Sequence, residues 1–114
     1  MGTNKLLLTG NAADTPTLTT TASGYKIARV RVATSEKIFN QERYELDIKT
    51  TWHNVVFWND IADLAVQHIN KGTRLYLEGY VKEREWVDKN GNLRTTTEIH
   101  ASHFKIIKNS EQNL

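Results

Sequence analysis

The sequence of 114 residues has no cysteine, only one proline and one methionine, and no long hydrophobic run. The absence of cysteine excludes disulfide frameworks, thiolate metal sites and cysteine nucleophiles. Its apolar runs are only a few residues long, so none predicts a transmembrane helix, and no charged-then-apolar leader precedes the first predicted strand. A chain of this length can form one domain with its own hydrophobic core. We therefore expect a single cytoplasmic domain that is not bound to a membrane.

Motifs that carry catalysis or hold cofactors are also missing. The sequence contains no HExxH motif, no glycine-rich phosphate loop and no GxSxG nucleophile elbow. His100 and His103 resemble a metal-binding pair, but a spacing of three on a strand puts their side chains on opposite faces. Asp60 and Asp63 lie at the start of the predicted helix, where carboxylates favour the helix dipole. These observations predict a protein that is not an enzyme and uses no cofactor or metal.

The net charge is small, with 15 Lys and Arg residues against 13 Asp and Glu residues, or +2 at pH 7. This total does not by itself indicate a nucleic-acid partner, so the placement of the charges has to be considered. Frequent threonine and β-branched residues, together with the single proline, favour strands over helices. No repeat and no low-complexity segment interrupts the chain.

The alternation of apolar and polar residues predicts five strands and one helix. In the second predicted strand, Ala28, Val30 and Val32 share one face, and Arg29 and Arg31 share the other. The predicted strands cover residues 4–10, 25–34, 48–58, 73–87 and 93–107.

The connections have their own signals. Residues 11–24, around the single proline, predict a loop or an irregular edge, and the charged residues 35–47 predict a long loop or hairpin tip. Asp88 to Gly91 predicts a hairpin turn, and Gly79 predicts a bulge or bend. The helix is expected to be capped by Asn59 or Asp60 and to end at Lys71-Gly72. Its predicted apolar face consists of Ile61, Leu64, Ala65, His68 and Ile69.

Five strands with one short helix between the third and fourth is the order of an OB-fold, an all-β five-stranded Greek-key barrel. Periodicity alone also allows another small α+β barrel. We predict an OB-fold domain over residues 1–108, followed by a short polar tail over residues 109–114.

Basic and aromatic residues are interleaved on the fourth predicted strand, opposite the apolar Leu75, Leu77 and Val81. Such a row can follow a phosphate backbone while it presents flat π surfaces to unstacked bases. Single residues permit ordinary interpretations as well: Trp58, beside Phe57, is typical of a core residue. Arg29 and Arg31 taken singly are typical of solvated strand residues. The residues of the interleaved row are Arg74, Tyr76, Tyr80, Lys82, Arg84 and Trp86.

Several segments of the sequence, in order, resemble the bacterial single-stranded DNA-binding protein family in its DNA-binding core. They are NKLLLTGN at 4–11, ARVRVATSE at 28–36, TTWHNVVFW at 50–58 and KGTRLYLEGYVKEREWVDKNGNLRTTTEI at 71–99. The resemblance covers nearly the whole chain. It implies an OB-fold, a homotetramer, and sequence-tolerant binding of single-stranded DNA in replication, repair and recombination, near the nucleoid.

The resemblance also implies which residues bind. The family's base-stacking positions correspond to Trp52, Trp58 and Trp86, which replaces the core interpretation of Trp58, and Phe39 substitutes for a fourth aromatic that aligns near Ile38. The subunit interface is expected to include Leu6, Leu8 and His53. The basic residues expected along the DNA backbone are Lys5, Arg29, Arg31, Lys71, Lys82, Arg84 and Arg94.

The sequence departs from the family at several points. Asp60, Asn70 and Glu85 stand where Lys or Arg is common, and no acidic C-terminal tip is present, so recruitment of replication or repair proteins through such a tip is not supported. The sequence leaves open whether that tail is naturally absent or was removed. Two alternatives therefore stay open: a tail-less accessory or replication-restart paralogue that acts through protein partners, and a small hydrolase or nuclease on the same barrel.

Overall fold

The computed structural model of the chain describes residues 1–109 and contains six strands and one helix in that part. The elements are β1 (Leu6–Ala12), β2 (Thr17–Thr20), β3 (Lys26–Asn40), β4 (Glu45–Trp58), α1 (Asn59–His68), β5 (Arg74–Val87) and β6 (Leu93–Lys108). The predicted polar tail lies, apart from Asn109, outside the described residues.

The five long strands form a closed barrel in the order β1-β5-β6-β4-β3. The barrel closes where β1 pairs with β3, with Asn11 opposite Ala33 and Ala12 opposite Val32. The contact between β4 and β6 is parallel, and every other pairing in the sheet is antiparallel. This topology confirms the predicted all-β OB-fold.

The predicted loop at residues 11–24 contains the short strand β2. All four of its residues are exposed, and they pair with β3 at the edge of the sheet, from Thr17 opposite Arg29 to Thr20 opposite Lys26. Because β2 adds one strand to the count, α1 lies between the fourth and fifth strands rather than between the third and fourth. The helix keeps its place relative to the five strands of the barrel.

Most of the segment predicted as a loop at residues 35–47 is paired strand. β3 continues to Asn40 and β4 begins at Glu45, so only residues 41–44 form the turn of a long hairpin arm. The arm is exposed on both faces, and its side chains bond across the strands, as Ser35 does with Thr50 at 3.3 Å. A strand that buries neither face shows no apolar alternation, so the sequence pattern did not indicate it.

The helix starts where it was predicted but is not capped by a side chain. Trp58 is its N-cap residue, and the Asn59 side-chain oxygen instead accepts a hydrogen bond from the Lys26 backbone N–H at 3.2 Å. The helix ends at His68, followed by an extended Ile69, so Gly72 lies in the next turn and not at the helix end.

The apolar face of the helix also differs from the prediction. Ala62 and Ala65 are the buried residues of α1, and Ile69 is buried just after it, whereas Leu64 is 47% exposed. Small residues allow the helix to approach the barrel closely, which explains why the larger Leu64 lies outside. No helix within residues 1–109 is long and apolar enough to cross a membrane.

The hydrophobic core fills the barrel and lies under α1. Ala28, Val30 and Val32 are all buried in it, as the alternation on β3 predicts. Because neighbouring residues of a strand point to opposite faces, the arginines between them lie on the outer surface. The core also contains Ala12, Val55, Phe57, Ala62, Ala65, Ile69, Leu75, Leu77, Ile99 and Ala101.

Gly79 marks an irregularity in β5, as predicted. The register with β6 shifts between Glu78 and Gly79, and the Gly79 α-carbon lies against the carbonyl group of His100. A side chain at this position would clash with that carbonyl oxygen. Glycine therefore permits the close approach of β5 to β6 at this point.

Candidate nucleic-acid interface

The outer face of β3, β4, β6 and β5 is built from residues that lie opposite one another across the strands. Arg29 pairs with Val56, Val56 with His100, and His100 with Tyr80. Directly paired residues point to the same side of a sheet, so these four side chains form one row across four strands.

The neighbouring rows carry most of the predicted binding residues. Lys82 lies opposite Glu98, Arg84 opposite Thr96 and Trp86 opposite Arg94 on the same side of β5 and β6. We call this surface the basic–aromatic face. The predicted nucleic-acid-binding residues on it are Arg29, Arg31, Trp52, Trp58, Lys82, Arg84, Trp86 and Arg94.

Trp52 is the most accessible tryptophan of this face, at 56% exposed. The guanidinium carbon of Arg31 lies 5.5 Å from its ring centroid, within the range of a cation–π contact. A flat ring beside a positive charge can bind both the base and the phosphate of a nucleotide.

Trp86 lies toward the end of the β5–β6 hairpin and is 40% exposed. Its indole N–H donates a hydrogen bond to Thr96 Oγ1 at 2.8 Å. The bond fixes the ring edge against β6 and satisfies the one polar group of the side chain, because an indole nitrogen can only donate.

Trp58 is half-buried and lies outside the core cluster, on the same side of β4 as Trp52. Its indole N–H donates to Nδ1 of His100 at 2.9 Å, and Tyr25 packs edge-on against it with ring centroids 6.2 Å apart. The ring of Tyr80 stacks on His100 with centroids 5.4 Å apart. Trp58 is thus part of an aromatic cluster on the outer face.

Phe39 is separated from the three tryptophans. It lies near the turn of the β3–β4 hairpin arm, opposite Leu46, and its exposed ring meets Tyr44 edge-to-face at 6.1 Å. Alternation along β3 puts it on the same side as Arg31. The hairpin arm therefore extends the basic–aromatic face beyond the barrel.

A buried carboxylate organises the charges of this face. Glu98 is 3% exposed, and its Oε2 accepts a hydrogen bond from Arg84 Nε at 3.0 Å, with Arg29 Nε at 3.7 Å. Its Oε1 lies 3.4 Å from Nε2 of His100. Glu98 therefore holds two guanidinium groups on the sheet.

A cavity of about 230 Å³ opens beside this carboxylate. Guanidinium groups have a fixed fork of donors that suits phosphate oxygens. Three arginines line the cavity together with Asp14 and Glu98, the carboxylates with which they are paired, so part of their donor capacity is used within the chain. The lining of the cavity includes Arg29, Arg31, Arg84, Asn54, Thr96 and Glu98.

Other predicted cations have acidic partners. Arg31 Nε lies 3.2 Å from Asp14, and Arg94 Nε lies 2.8 Å from Asp88. The Asn92 backbone N–H, followed by the Arg94 side chain, holds the pKa of Asp88 below its usual range. Lys82 has no acidic group within 4 Å among residues 1–109, which leaves its charge available to a ligand.

Two predicted cations, Lys5 and Lys71, lie outside the four strands that form the basic–aromatic face. Lys5, just before β1, is 3.7 Å from Glu78, and Lys71 lies in the turn after α1, where its backbone N–H donates to Thr15 Oγ1. Of the departures from the family pattern, Glu85 alternates with Arg84 and so points to the opposite face of β5. It adds no negative charge to the basic–aromatic face.

The residues predicted for the subunit interface differ in burial and in the groups they contact. Leu6 and Leu8 pack against the core, and the exposed leucine of β1 is Leu7. β1 pairs with β5 along its length but with β3 only at its end, so one edge of residues 6–10 is unpaired within residues 1–109. His53 is half-buried, its Nε2 lies 2.9 Å from Thr34 Oγ1, and burial lowers its pKa below the usual value of 6.5.

The sequence analysis did not place Glu98 and His100 in the site, whereas Tyr80 was predicted in the interleaved basic and aromatic row. Glu98 and His100 are two apart on the last strand and so share a face, which was a usable signal. Their partners lie on other strands and were not apparent from spacing. Among residues 1–109, histidine and carboxylate side chains form no group of three that could hold a metal ion.

Comparison with known proteins identifies the family. The sequence model of the Single-strand binding protein family matches residues 3–107. The chain is 34% identical over 110 residues to Single-stranded DNA-binding protein 1 of Xylella fastidiosa, covering 96% of this chain and 81% of that protein. Its fold is similar to that of the solved Plasmodium falciparum SSB complex with ssDNA, with a TM-score of 0.84, 29% identity, and coverage of 95% of this chain and 97% of that one. The chain belongs to the single-strand binding protein family.

Proposed function

We propose that the protein binds single-stranded DNA with little preference for base sequence and does not act as an enzyme. Bases stack on Trp52, Trp58 and Trp86 while the cations of the basic–aromatic face follow the phosphates. The observation that carries this proposal is the presence of three tryptophans and four arginines on one side of four adjacent strands.

The energetics of such a face suit a single strand better than a duplex. Stacking of a base on an aromatic side chain contributes about 1–3 kcal/mol and works for every base, because each base has a π surface. In a duplex those surfaces are already stacked on one another. A face of this kind is therefore expected to select unpaired strands and to tolerate any sequence.

The finer parts of the proposal rest on the family and on the position of single residues. Phe39 serves as a fourth stacking residue at the hairpin arm, and Lys5 and Lys71 contact the DNA backbone away from the sheet face. The protein assembles as a homotetramer through β1 and His53. It protects single strands during replication, repair and recombination, near the nucleoid in the cytoplasm.

A titration of intrinsic tryptophan fluorescence with oligo-dT tests the function directly. We expect strong quenching by the single strand, weakened as salt increases, because phosphate neutralisation releases counterions. Duplex DNA of the same length is the control and is expected to quench little. Equal quenching by duplex, or none by oligo-dT, would contradict the proposal and favour an accessory protein that acts through protein partners.

A further inference from the structure

His100 is the one histidine that is fully buried in the described part of the chain, at 5% exposed, and it lies between two polar partners. Nδ1 is 2.9 Å from the indole nitrogen of Trp58, and Nε2 is 3.4 Å from Oε1 of Glu98. Its ring face is covered by Tyr80. The proposed DNA-binding mechanism assigns this side chain no role.

The two partners determine where the proton of His100 lies. An indole N–H can only donate, so Nδ1 has to be the unprotonated acceptor of the bond from Trp58. A neutral imidazole carries one proton, which is then on Nε2 and directed at the Glu98 carboxylate. The neighbours of His100 therefore fit one neutral tautomer.

We propose that His100 is a positioning residue that fixes the indole of Trp58 in its orientation for stacking on a base, through a chain of hydrogen bonds from Trp58 to His100 to Glu98. The inference rests on the proposed function of Trp58 as a stacking residue. A side chain already held in its binding orientation loses less conformational entropy when the ligand arrives. Glu98 also accepts a hydrogen bond from Arg84. One carboxylate therefore orients both a ring that stacks on a base and a guanidinium that binds a phosphate.

The indole N–H resonance of Trp58 tests the bond without any DNA. It can be assigned by its disappearance in Trp58→Phe, and its chemical shift and hydrogen-exchange rate are compared between the ¹⁵N-labelled unmodified protein and His100→Val. We expect loss of the acceptor in His100→Val to move the Trp58 resonance and to speed its exchange, while the Trp86 resonance stays constant because its acceptor is Thr96. His100→Gln is the control, since its amide can accept from Trp58 and donate to Glu98, and it should restore slow exchange. A Trp58 resonance that is unchanged in His100→Val, or changed equally in His100→Gln, would overturn the proposal.

A double-mutant cycle tests the consequence for DNA. His100→Val removes the acceptor and is expected to weaken oligo-dT binding about three- to tenfold, the equivalent of one hydrogen bond, while His100→Gln restores most of the affinity. In a Trp58→Phe background, which has no N–H to orient, His100→Val should have no further effect. An equal loss in both backgrounds would overturn the proposal. If the unmodified protein did not bind oligo-dT, the proposed function would fail, and the resonance experiment would still decide whether His100 orients Trp58.

Discussion

Two of the three tryptophans have their single polar group bonded to a neighbour on β6. Trp58 donates to His100 and Trp86 donates to Thr96, at 2.9 and 2.8 Å. These bonds use the N–H edge of each ring, and Tyr25 also packs against the ring of Trp58. Trp52 differs, because its main neighbour is the guanidinium of Arg31. The site therefore consists of tryptophan rings held in defined orientations next to charged side chains.

Replacement of Trp52 by alanine tests the contribution of stacking. We expect Trp52→Ala to weaken oligo-dT binding about tenfold or more, because one base–aromatic contact contributes roughly 1–3 kcal/mol. The loss should be similar for oligo-dA, since stacking does not depend on base identity. Leu64→Ala, an exposed apolar change on α1, is the control and should bind normally. An unchanged dissociation constant for Trp52→Ala would remove this residue from the site.

The charge on Lys82 can be tested through salt dependence. It lies on the basic–aromatic face, so Lys82→Gln should reduce the slope of log K against log salt by about 0.7, the value for one phosphate contact on a single strand. Lys105→Gln makes the same change at the far end of β6, opposite Tyr76, and should leave the slope unaltered. Identical slopes for the two variants would show that Lys82 makes no distinct phosphate contact.

The half-buried His53 predicts a dependence of stability on pH. Burial lowers its pKa in the folded chain below the usual 6.5, so the unfolded chain takes up a proton first as the pH falls. The free energy of unfolding should therefore decrease once the pH falls below about 6.5 and stop decreasing below the folded pKa. In His53→Gln this component is absent, and chemical denaturation at several pH values measures the difference. Equal pH dependence in both proteins would contradict the assignment.

Among the elements, the face depends on how β5 pairs with β6. The register shifts between Glu78 and Gly79, where Ser102 of β6 is an extra residue, just before Tyr80, Lys82, Arg84 and Trp86. Farther along, the Asp88 to Gly91 turn is closed by a hydrogen bond from Gly91 N–H to the Asp88 carbonyl at 3.1 Å. The bulge and the turn together fix the register in which Trp86 meets Thr96.

Gly79→Ala tests the close approach of β5 to β6. The added methyl group would clash with the His100 carbonyl oxygen, so the backbone has to shift and the protein should lose about 1–3 kcal/mol of stability. Gly2→Ala meets no atom within 4 Å and is the matched control. Thermal denaturation of both variants measures the effect. A melting temperature of Gly79→Ala equal to that of the control would mean that the bulge adapts without strain.

In the molecule as a whole, most but not all strand edges of the described barrel form backbone hydrogen bonds with a neighbouring strand. One edge of β1 at residues 6–10 is unpaired in the part of the chain that the structure describes, and the exposed Leu7 lies on the same strand. An unpaired strand edge is a site where another chain can add a strand. This geometry is compatible with assembly through β1.

Light scattering at micromolar concentration tests the proposed homotetramer. We expect a mass near four chains, because the unpaired edges can pair across two-fold axes in a closed assembly. Measurement over a range of dilutions should show whether the mass falls in steps. A mass of one chain throughout would reject the tetramer while leaving the single-strand-binding face intact.

Local patterns of residues were enough to predict the five barrel strands, the helix after the third of them, and the inner face of β3. Alternation at Ala28, Val30 and Val32 indicated the core, because a buried side chain has to be apolar whatever its partner is. Alternation also put Trp52 and Trp58 on one face of their strand and Trp86 in the row of basic and aromatic residues, and the resemblance to the family then identified all three as stacking residues. Burial and local periodicity are properties of single segments, so a single sequence reports them.

Features that depend on pairing between distant segments could be seen only in the folded barrel. The hairpin arm at residues 35–47 and the edge strand β2 are held by hydrogen bonds between exposed backbones, which impose no apolar pattern. The buried helix face consists of the small residues Ala62 and Ala65 because the barrel lies close to it. The hydrogen bonds from Arg84 to Glu98 and from Trp58 to His100 join residues on different strands. Such contacts depend on strand register, and register becomes defined only when the barrel has closed.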